Sequence, residues 1–323
     1  TEKPNADDFV SYDDKKISWG EGLKNFLSRG KKSEFSKDCI RTSLYRPFVK
    51  SNLYFDRMLN ERVYVFPSIF PNNLSEKENQ VICLPSLGGR TSYWCICANV
   101  IPNLSIVTID ANQCFPFYTY SEDGQHRQEN ITNWAWMNFC RNYKDQSITK
   151  WDIFYYVYGV LHNQEYRQKY AANLRRELPR IPYAPDLATF QAYSQAGKQL
   201  AELHLNYEQH EQYSLTRIYA PDQPHNWEVQ KMKLNKDKTV IIYNDWLTLS
   251  GIPKETFEYR LGNRSALEWV IEQYQVKTDS RSEIVNDPNR YDDPQYIVRL
   301  LGQVIQVSLE TVRIVKELPK LIF

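Results

Sequence analysis

The sequence predicts an α+β fold of small mixed or antiparallel sheets and several packed helices, closing on a long C-terminal helix. Two stretches of short runs rich in β-branched and aromatic residues, at 63–109 and 215–261, predict the strands. Segments with apolar residues at helical spacing, at 148–206 and from 294 onward, predict the helices. The length of 323 residues, with 42% apolar and 24% charged side chains, is enough for a substantial core of ordinary globular composition. The character of the chain changes at Ile148, dividing it into a β-rich part, 1–147, and a more helical part, 148–323, that retains a small sheet.

Leu23, Phe26 and Leu27 predict a first short helix over Ile17–Arg29. Strands are expected at Val63–Phe66, Val81–Leu84, Tyr93–Cys97 and Ile106–Ile109, with Pro85, Gly88 and Gly89 breaking the second from the third into a hairpin-like unit. Its connection carries Arg90, Thr91 and Ser92. The run WDIFYYVYGVLH is apolar on nearly every side and predicts a buried helix. Tyr166, Tyr170 and Leu174 continue the period through Glu165–Glu177, until Pro179 and Pro182 end it. Asp186 is placed to cap a helix from about Leu187 to Asn206, with Phe190, Gly197, Leu200 and Leu203 facing inward.

Strands are next expected at Leu215–Tyr219, Trp227–Met232, Thr239–Tyr243 and Thr256–Leu261. Asn263 is the expected cap of a helix carrying Leu267, Val270, Ile271 and Tyr274. After the polar stretch Lys277–Asp293, Asp293 as cap and Pro294 as first helical residue open the closing helix, with Ile297, Leu301, Val304, Val315 and Leu318 on one stripe.

Composition narrows the function. No apolar run reaches the roughly 18 residues of a membrane span, and the polar, acidic start has no signal-peptide stretch, so a cytoplasmic location is expected. The chain opens on Thr1, which points to an excised or processed piece of a longer protein. Cys95 and Cys97, in CxC rather than CxxC spacing, read as buried reduced thiols. The net charge of +1 exerts no global pull on nucleic acid. Its distribution is uneven: residues 1–22 hold three basic and six acidic groups, and residues 23–62 hold ten basic and four acidic. Such a basic patch is the footprint of phosphate contacts, or simply a solvated face.

Catalytic signatures are missing. There are 11 glycines, with no GxxxxGK[ST] and no GxGxxG, and no Glu-x-Lys of metal-dependent nucleases. His204 and His210, six apart, do not have a helical ligand spacing, and His204 reads as structural. Asn286-Asp287-Pro288-Asn289 lacks the second proline and the aromatic of an amino-methyltransferase loop, and reads better as a turn. No catalytic residue, metal ligand or cofactor site is expected in the chain.

Three strings raise a resemblance: LYRPFVKSNLYFDRMLNERVYVFPSIFP (Leu44–Pro71), ITKWDIFYYVYGVLHNQEYRQKYAANLRRELPRIPY (Ile148–Tyr183) and YRLGNRSALEWVIEQYQVKTDSRSEIVNDPNRYDDPQYIVRLLGQVIQVSLETV (Tyr259–Val312). They resemble the carboxy-terminal specificity region of Type ISP restriction–modification enzymes, over nearly the whole chain and least closely from Thr1 to about Arg41. In that family one polypeptide joins a nuclease, a helicase-like motor, an adenine-N6 methyltransferase and a target recognition domain. The resemblance implies a module that reads duplex DNA and positions the target adenine for an upstream methyltransferase. S-adenosylmethionine, ATP and Mg then belong to upstream domains.

Bases are read through Arg on guanine and Asn or Gln on adenine, from loops that reach a groove. Lys277, Arg281, Asn286, Asn289 and Arg290 in the polar stretch are the first candidates, although Asp279, Glu283 and Asp287 balance their charge. Arg90 and Ser92 come second. Lys50, Arg57 and Arg62 are expected as phosphate clamps or as the seam to the methyltransferase, unless Arg57 and Arg62 merely pair with Asp56 and Glu61. Two other readings stay open. A methyltransferase fragment would bind methyl donor, and a protein-docking scaffold would bind other subunits through its aromatic helices; salt-dependent binding to duplex DNA separates the DNA reader from that scaffold.

Overall fold

The computed structural model describes residues 10, 11, 13, 15, 18–121 and 123–321. Ile17, the expected start of the first helix, and most of the acidic amino-terminal stretch lie outside them.

Helix α1 (Glu21–Ser28) precedes the hairpin β1 (Ile40–Arg46) and β2 (Val49–Tyr54), then the short helices α2 (Phe66–Ile69) and α3 (Asn73–Glu78). Strands β3 (Val81–Pro85), β4 (Ile96–Ala98), β5 (Ile101–Pro102) and β6 (Asn112–Pro116) follow, with the hairpin β7 (Tyr118–Tyr120) and β8 (Arg127–Glu129). Next come α4 (Asn133–Tyr143), α5 (Lys150–His162), α6 (Gln164–Lys169), α7 (Ala171–Leu174) and α8 (Leu187–Leu205). A second sheet uses β9 (Thr216–Tyr219), β10 (Lys233–Leu234), β11 (Val240–Ile242) and β12 (Leu247–Ser250). The mini-hairpin β13 (Arg260–Leu261) and β14 (Arg264–Ser265) leads into α9 (Ala266–Gln273). The hairpin β15 (Lys277–Thr278) and β16 (Val285–Asn286) then leads to α10 (Tyr296–Glu317).

The expected fold class is observed. One sheet, β2-β1-β5, is mixed, because β5 runs parallel to β1; the sheets β4-β3-β6 and β10-β11-β12-β9 are antiparallel. Strand periodicity explains how β3 and β4 serve two cores at once. Val81, Cys83, Ile96 and Ala98 face a cluster shared with β11, β12, α9 and α10. Ile82, Leu84, Cys95 and Cys97 face a second cluster shared with α5 and α8. Both clusters draw on residues from either side of position 147, where the composition changes. Cys95 and Cys97 lie along one face, buried and unbridged, as reduced thiols should. The 22-residue α10 passes along both cores, giving Leu301, Val304 and Ile305 to the first and Ile314 to the second.

The α5–α8 pair follows its sequence signals. Thr149 caps α5 in a reciprocal box with Asp152, and Asp186 caps α8 by accepting the Thr189 N–H at 2.7 Å. Gly159 and Gly197 meet at the crossing; a β-carbon on Gly159 would lie 2.5 Å from the Tyr193 carbonyl oxygen.

Other expectations need correction. Val63–Phe66 forms no strand: Arg62 and Tyr64 are left-handed (φ 59° and 46°), and Pro67 starts a helical turn. At Ile106–Ile109 side chains capture the donors a ladder would need, Asn112 taking the Ile106 N–H and Thr108 that of Asp110. Trp227–Met232 is irregular, with Val229 held by the Asn289 side chain. Of Thr256–Leu261 only Arg260–Leu261 is strand; Thr256 and Phe257 end a 3₁₀ helix that begins at Lys254. Ser265, not Asn263, caps α9, boxed with Glu268, because Gly262 (φ 66°) first turns the chain through β13–β14. Asp293 does not cap α10 but pairs with Arg299. The hairpin β1–β2 went unpredicted because its burial inverts its hydrophobicity: Ile40 is exposed, whereas Arg41 is buried, bonding Glu76 at 2.6 Å and the Phe70 carbonyl at 3.2 Å.

Candidate nucleic-acid interface

Two hairpins far apart in sequence form the lips of one polar cleft of about 930 Å³. Tyr45, Arg46, Lys50, Ser51 and Asn52 of the β1–β2 hairpin stand on one side, and Lys277, Asp279, Asn286, Asn289 and Arg290 on the other.

The β1–β2 turn, Arg46-Pro47-Phe48-Val49, is locally strained. Pro47 followed by a left-handed residue is the type II turn pattern, which favours glycine at the second position. Here Phe48 takes it at φ 60°, a conformation costing roughly 1–2 kcal/mol for an L-residue. The ring's complete burial offsets that cost: it packs edge-on against Tyr207 at 5.1 Å and against His204 and Tyr259, both at 6.1 Å. Burial of Phe48 thereby fixes the direction in which the hairpin projects.

The opposite lip is tied by side chains. Asp279 accepts the N–H groups of Arg281 and Ser282 at 3.0 and 2.8 Å, turning the tip, and left-handed Glu283 (φ 58°) closes it. Asn289 clamps Val229 from both sides, accepting its N–H at 2.8 Å and donating to its carbonyl at 2.9 Å. At the base, Glu208 receives the Lys50 ammonium and the Tyr296 hydroxyl at 2.6 and 2.7 Å. Burial pushes the Glu208 carboxyl up, but Lys50, Tyr296 and Arg290 together hold it below its usual range. The Arg290 guanidinium lies 3.3 Å over the Tyr296 ring.

The predicted residues therefore fall in three places. Lys50, Lys277, Asn286, Asn289 and Arg290 share the cleft, with Arg281 at the tip of its second lip. Arg57 and Arg62 are exposed in the turns after β2 and pair with neither Asp56 nor Glu61. Asp56 accepts the N–H groups of Met58 and Leu59, and Glu61 accepts that of Gly22. Arg90 and Ser92 are exposed in the loop after β3, with Arg90 3.5 Å from Asp110 and its side chain three-quarters open at 75%.

Among the cleft residues the available chemistry differs. Lys50 is spent on Glu208, Asn289 on Val229, and the Lys277 ammonium donates to the Glu272 carbonyl at 2.7 Å. Asn286 is exposed with its side-chain amide uncommitted among the described residues. Ser51 and Asn52 on the facing hairpin are equally exposed, and sequence reasoning missed them. Their signal was the Arg-Pro-Phe turn between two short β-prone runs.

One constellation looks catalytic but is built otherwise. Cys95 Sγ lies 3.5 Å from His162 Nδ1, yet both side chains are wholly enclosed. Burial raises the Cys95 thiol and lowers the His162 imidazole, so the neutral forms are favoured, the reverse of a thiolate nucleophile. His162 Nδ1 donates to the Tyr158 carbonyl at 2.9 Å; the Tyr158 hydroxyl bonds His204 at 2.6 Å, and His204 bonds Thr311 of α10 at 3.0 Å. These bonds tie α5, α8 and α10 together. Among the described residues no three His, Cys, Asp or Glu side chains are placed to hold a metal, and no helix is long and apolar enough to cross a membrane.

The sequence model of the Type ISP C-terminal specificity domain matches residues 2–300. The chain belongs to that family. Its fold agrees with three solved complexes. A nuclease-deletion mutant of the Type ISP restriction–modification enzyme LlaGI, with a DNA substrate mimic, is 36% identical with a TM-score of 0.83 over 99% of this chain and 29% of that one. The ATP-dependent Type ISP enzyme LlaBIII bound to DNA is 31% identical with a TM-score of 0.85, over 95% of this chain and 20% of that one. The DrdV–DNA complex is 36% identical with a TM-score of 0.86, over 98% and 32%. This specificity domain thus spans about a third or less of each solved chain. No curated protein matches it.

Proposed function

We propose that this specificity domain reads a duplex DNA sequence through the cleft between its two hairpins. It thereby positions a target adenine for a methyltransferase domain that precedes it in a longer cytoplasmic polypeptide. The observation that carries the reading is the agreement, over nearly the whole chain, with domains of enzymes solved on DNA. S-adenosylmethionine, ATP and Mg would serve those other domains. Within the cleft, Asn286 and Asn52 have the amide geometry to bridge N6 and N7 of adenine, while Arg281 and Arg290 suit guanine or phosphate. Arg57, Arg62, Arg90 and Ser92 do not line the cleft; Arg90 and Ser92 would act on the backbone, and Arg57 and Arg62 at the seam to the preceding domain.

Methylation-site mapping and duplex binding by the longer polypeptide test this. Asn286→Ala should relax preference at one base pair and cost roughly 1–3 kcal/mol on the cognate site, with non-specific affinity unchanged. Unaltered preference for that variant, for Asn52→Ala and for Arg290→Ala would remove the cleft from base reading.

A further inference from the structure

Away from the cleft, α1 lies across the turns that follow β2 and leaves an apolar groove of about 490 Å³ between them, with Trp19, Leu23, Phe26, Phe35, Tyr54 and Met58 among its walls. Although α1 is amphipathic, none of its residues is fully buried. Phe35 stacks on Tyr54 at 5.8 Å yet remains 72% exposed, and Tyr64 and Val65 are 63% and 66% exposed. Left-handed Arg62 and Tyr64 belong to the same turns. Large aromatic and aliphatic side chains gathered along one groove, as Trp19, Leu23, Phe26 and Phe35 are here, mark a contact face rather than the scattered exposure normal for a monomer. Lys31 lines the groove, and Arg29, Lys32, Arg57 and Arg62 are exposed close by in sequence, none in an ion pair with a described residue.

We infer that this groove is the seat of the preceding domain of the polypeptide, which would present an apolar surface with an acidic margin. Three observations favour that occupant. The lining is apolar, whereas DNA places phosphates against cations and leaves little use for a greasy floor. The unpaired cations complement acidic groups on a protein neighbour. Most of each solved relative lies outside this domain, and the family's place at the carboxy terminus puts that remainder on the amino-terminal side, where α1 is the first helix. The inference rests on the reading above that another domain precedes this one.

Hydrogen–deuterium exchange on the 323-residue chain and on the longer polypeptide, with cognate methylation measured in parallel, provides the test. Amides of α1 and of the segment 55–66 should exchange at least about tenfold more slowly in the longer polypeptide, as burial of a contact face requires. In that polypeptide the groove-lining variant Leu23→Asp/Phe26→Asp, at two half-buried positions, should abolish the protection and leave exchange in α5 and α8 unchanged. Equal exchange in both chains while methylation proceeds would overturn the docking and spare the proposed function. Protection without any methylation would support the docking and count against that function. Protection of the short chain by duplex DNA alone, or growing with its own concentration, would overturn the assignment in favour of a nucleic-acid face or a second copy.

Discussion

At the α5–α8 crossing two glycines let backbones meet and buried polar side chains bond to one another, whereas across the cleft two exposed hairpins face each other over a gap. The first region holds Tyr158, His162 and His204 in a closed set of hydrogen bonds. The second spends Lys50 and Asn289 on its own framework and leaves Asn52 and Asn286 open. The difference separates side chains that hold the fold from side chains left open to solvent. Residue type does not make that separation: Asn289 and Asn286 are three positions apart and belong to different classes.

Substitutions should divide along the same line. The largest effect is expected for Gly197→Ala, whose β-carbon would run into the Tyr155 carbonyl with only backbone to yield. Forcing the helices apart should cost about 3 kcal/mol or more, read as a lower urea midpoint with duplex affinity unchanged once folded. An unaltered midpoint would mean the two helices do not meet backbone to backbone at this crossing.

Acid comes next. Burial lowers both His162 and His204, the latter to about 3, so the unfolded chain takes up protons at these sites before the fold does. Their contribution to stability is complete above about pH 6.5, the ordinary histidine value, and is lost as pH falls through that value toward the folded ones. Urea midpoints measured from pH 7.5 down to 4.5 should decline, and His204→Gln should flatten the decline. A profile that stays level for the unmodified chain would show that these imidazoles are not enclosed.

The smallest pair of effects sharpens the contrast most. Asn289→Ala should remove about 1–3 kcal/mol of stability by leaving the Val229 backbone unsatisfied. Asn286→Ala, at the exposed rim, should shift stability by under about 0.5 kcal/mol. Equal losses of stability in the two would erase the distinction between frame and open rim.

The two regions also differed in how far their sequence could be read. The α5 and α8 helices were legible because a continuous apolar run marks the first, and the Asp186 cap followed by an apolar period marks the second; local signals of that kind survive tertiary packing. The cleft was half legible. The stretch Lys277–Asp293 stood out as polar, but its partner lip did not, since β1 buries Arg41 and exposes Ile40, against the pattern that marks a strand. Val63–Phe66 misled in the opposite sense: it is β-prone by composition, but Tyr64 and Val65 have no core to face. Arg57, Arg62, Arg90 and Ser92 were chosen for charge and loop position, and neither property says on which surface a loop ends.

By itself the sequence determined the fold class, the family and the absence of phosphate-loop and nuclease signatures, because these depend on residue type and spacing along the chain. Only the tertiary structure decided that Ser51 and Asn52 stand across a gap from Asn286, that Asn289 is consumed by Val229, and that a Cys–His pair lies sealed in the core. Those facts turn on contacts between segments up to about 230 residues apart, which no local pattern encodes.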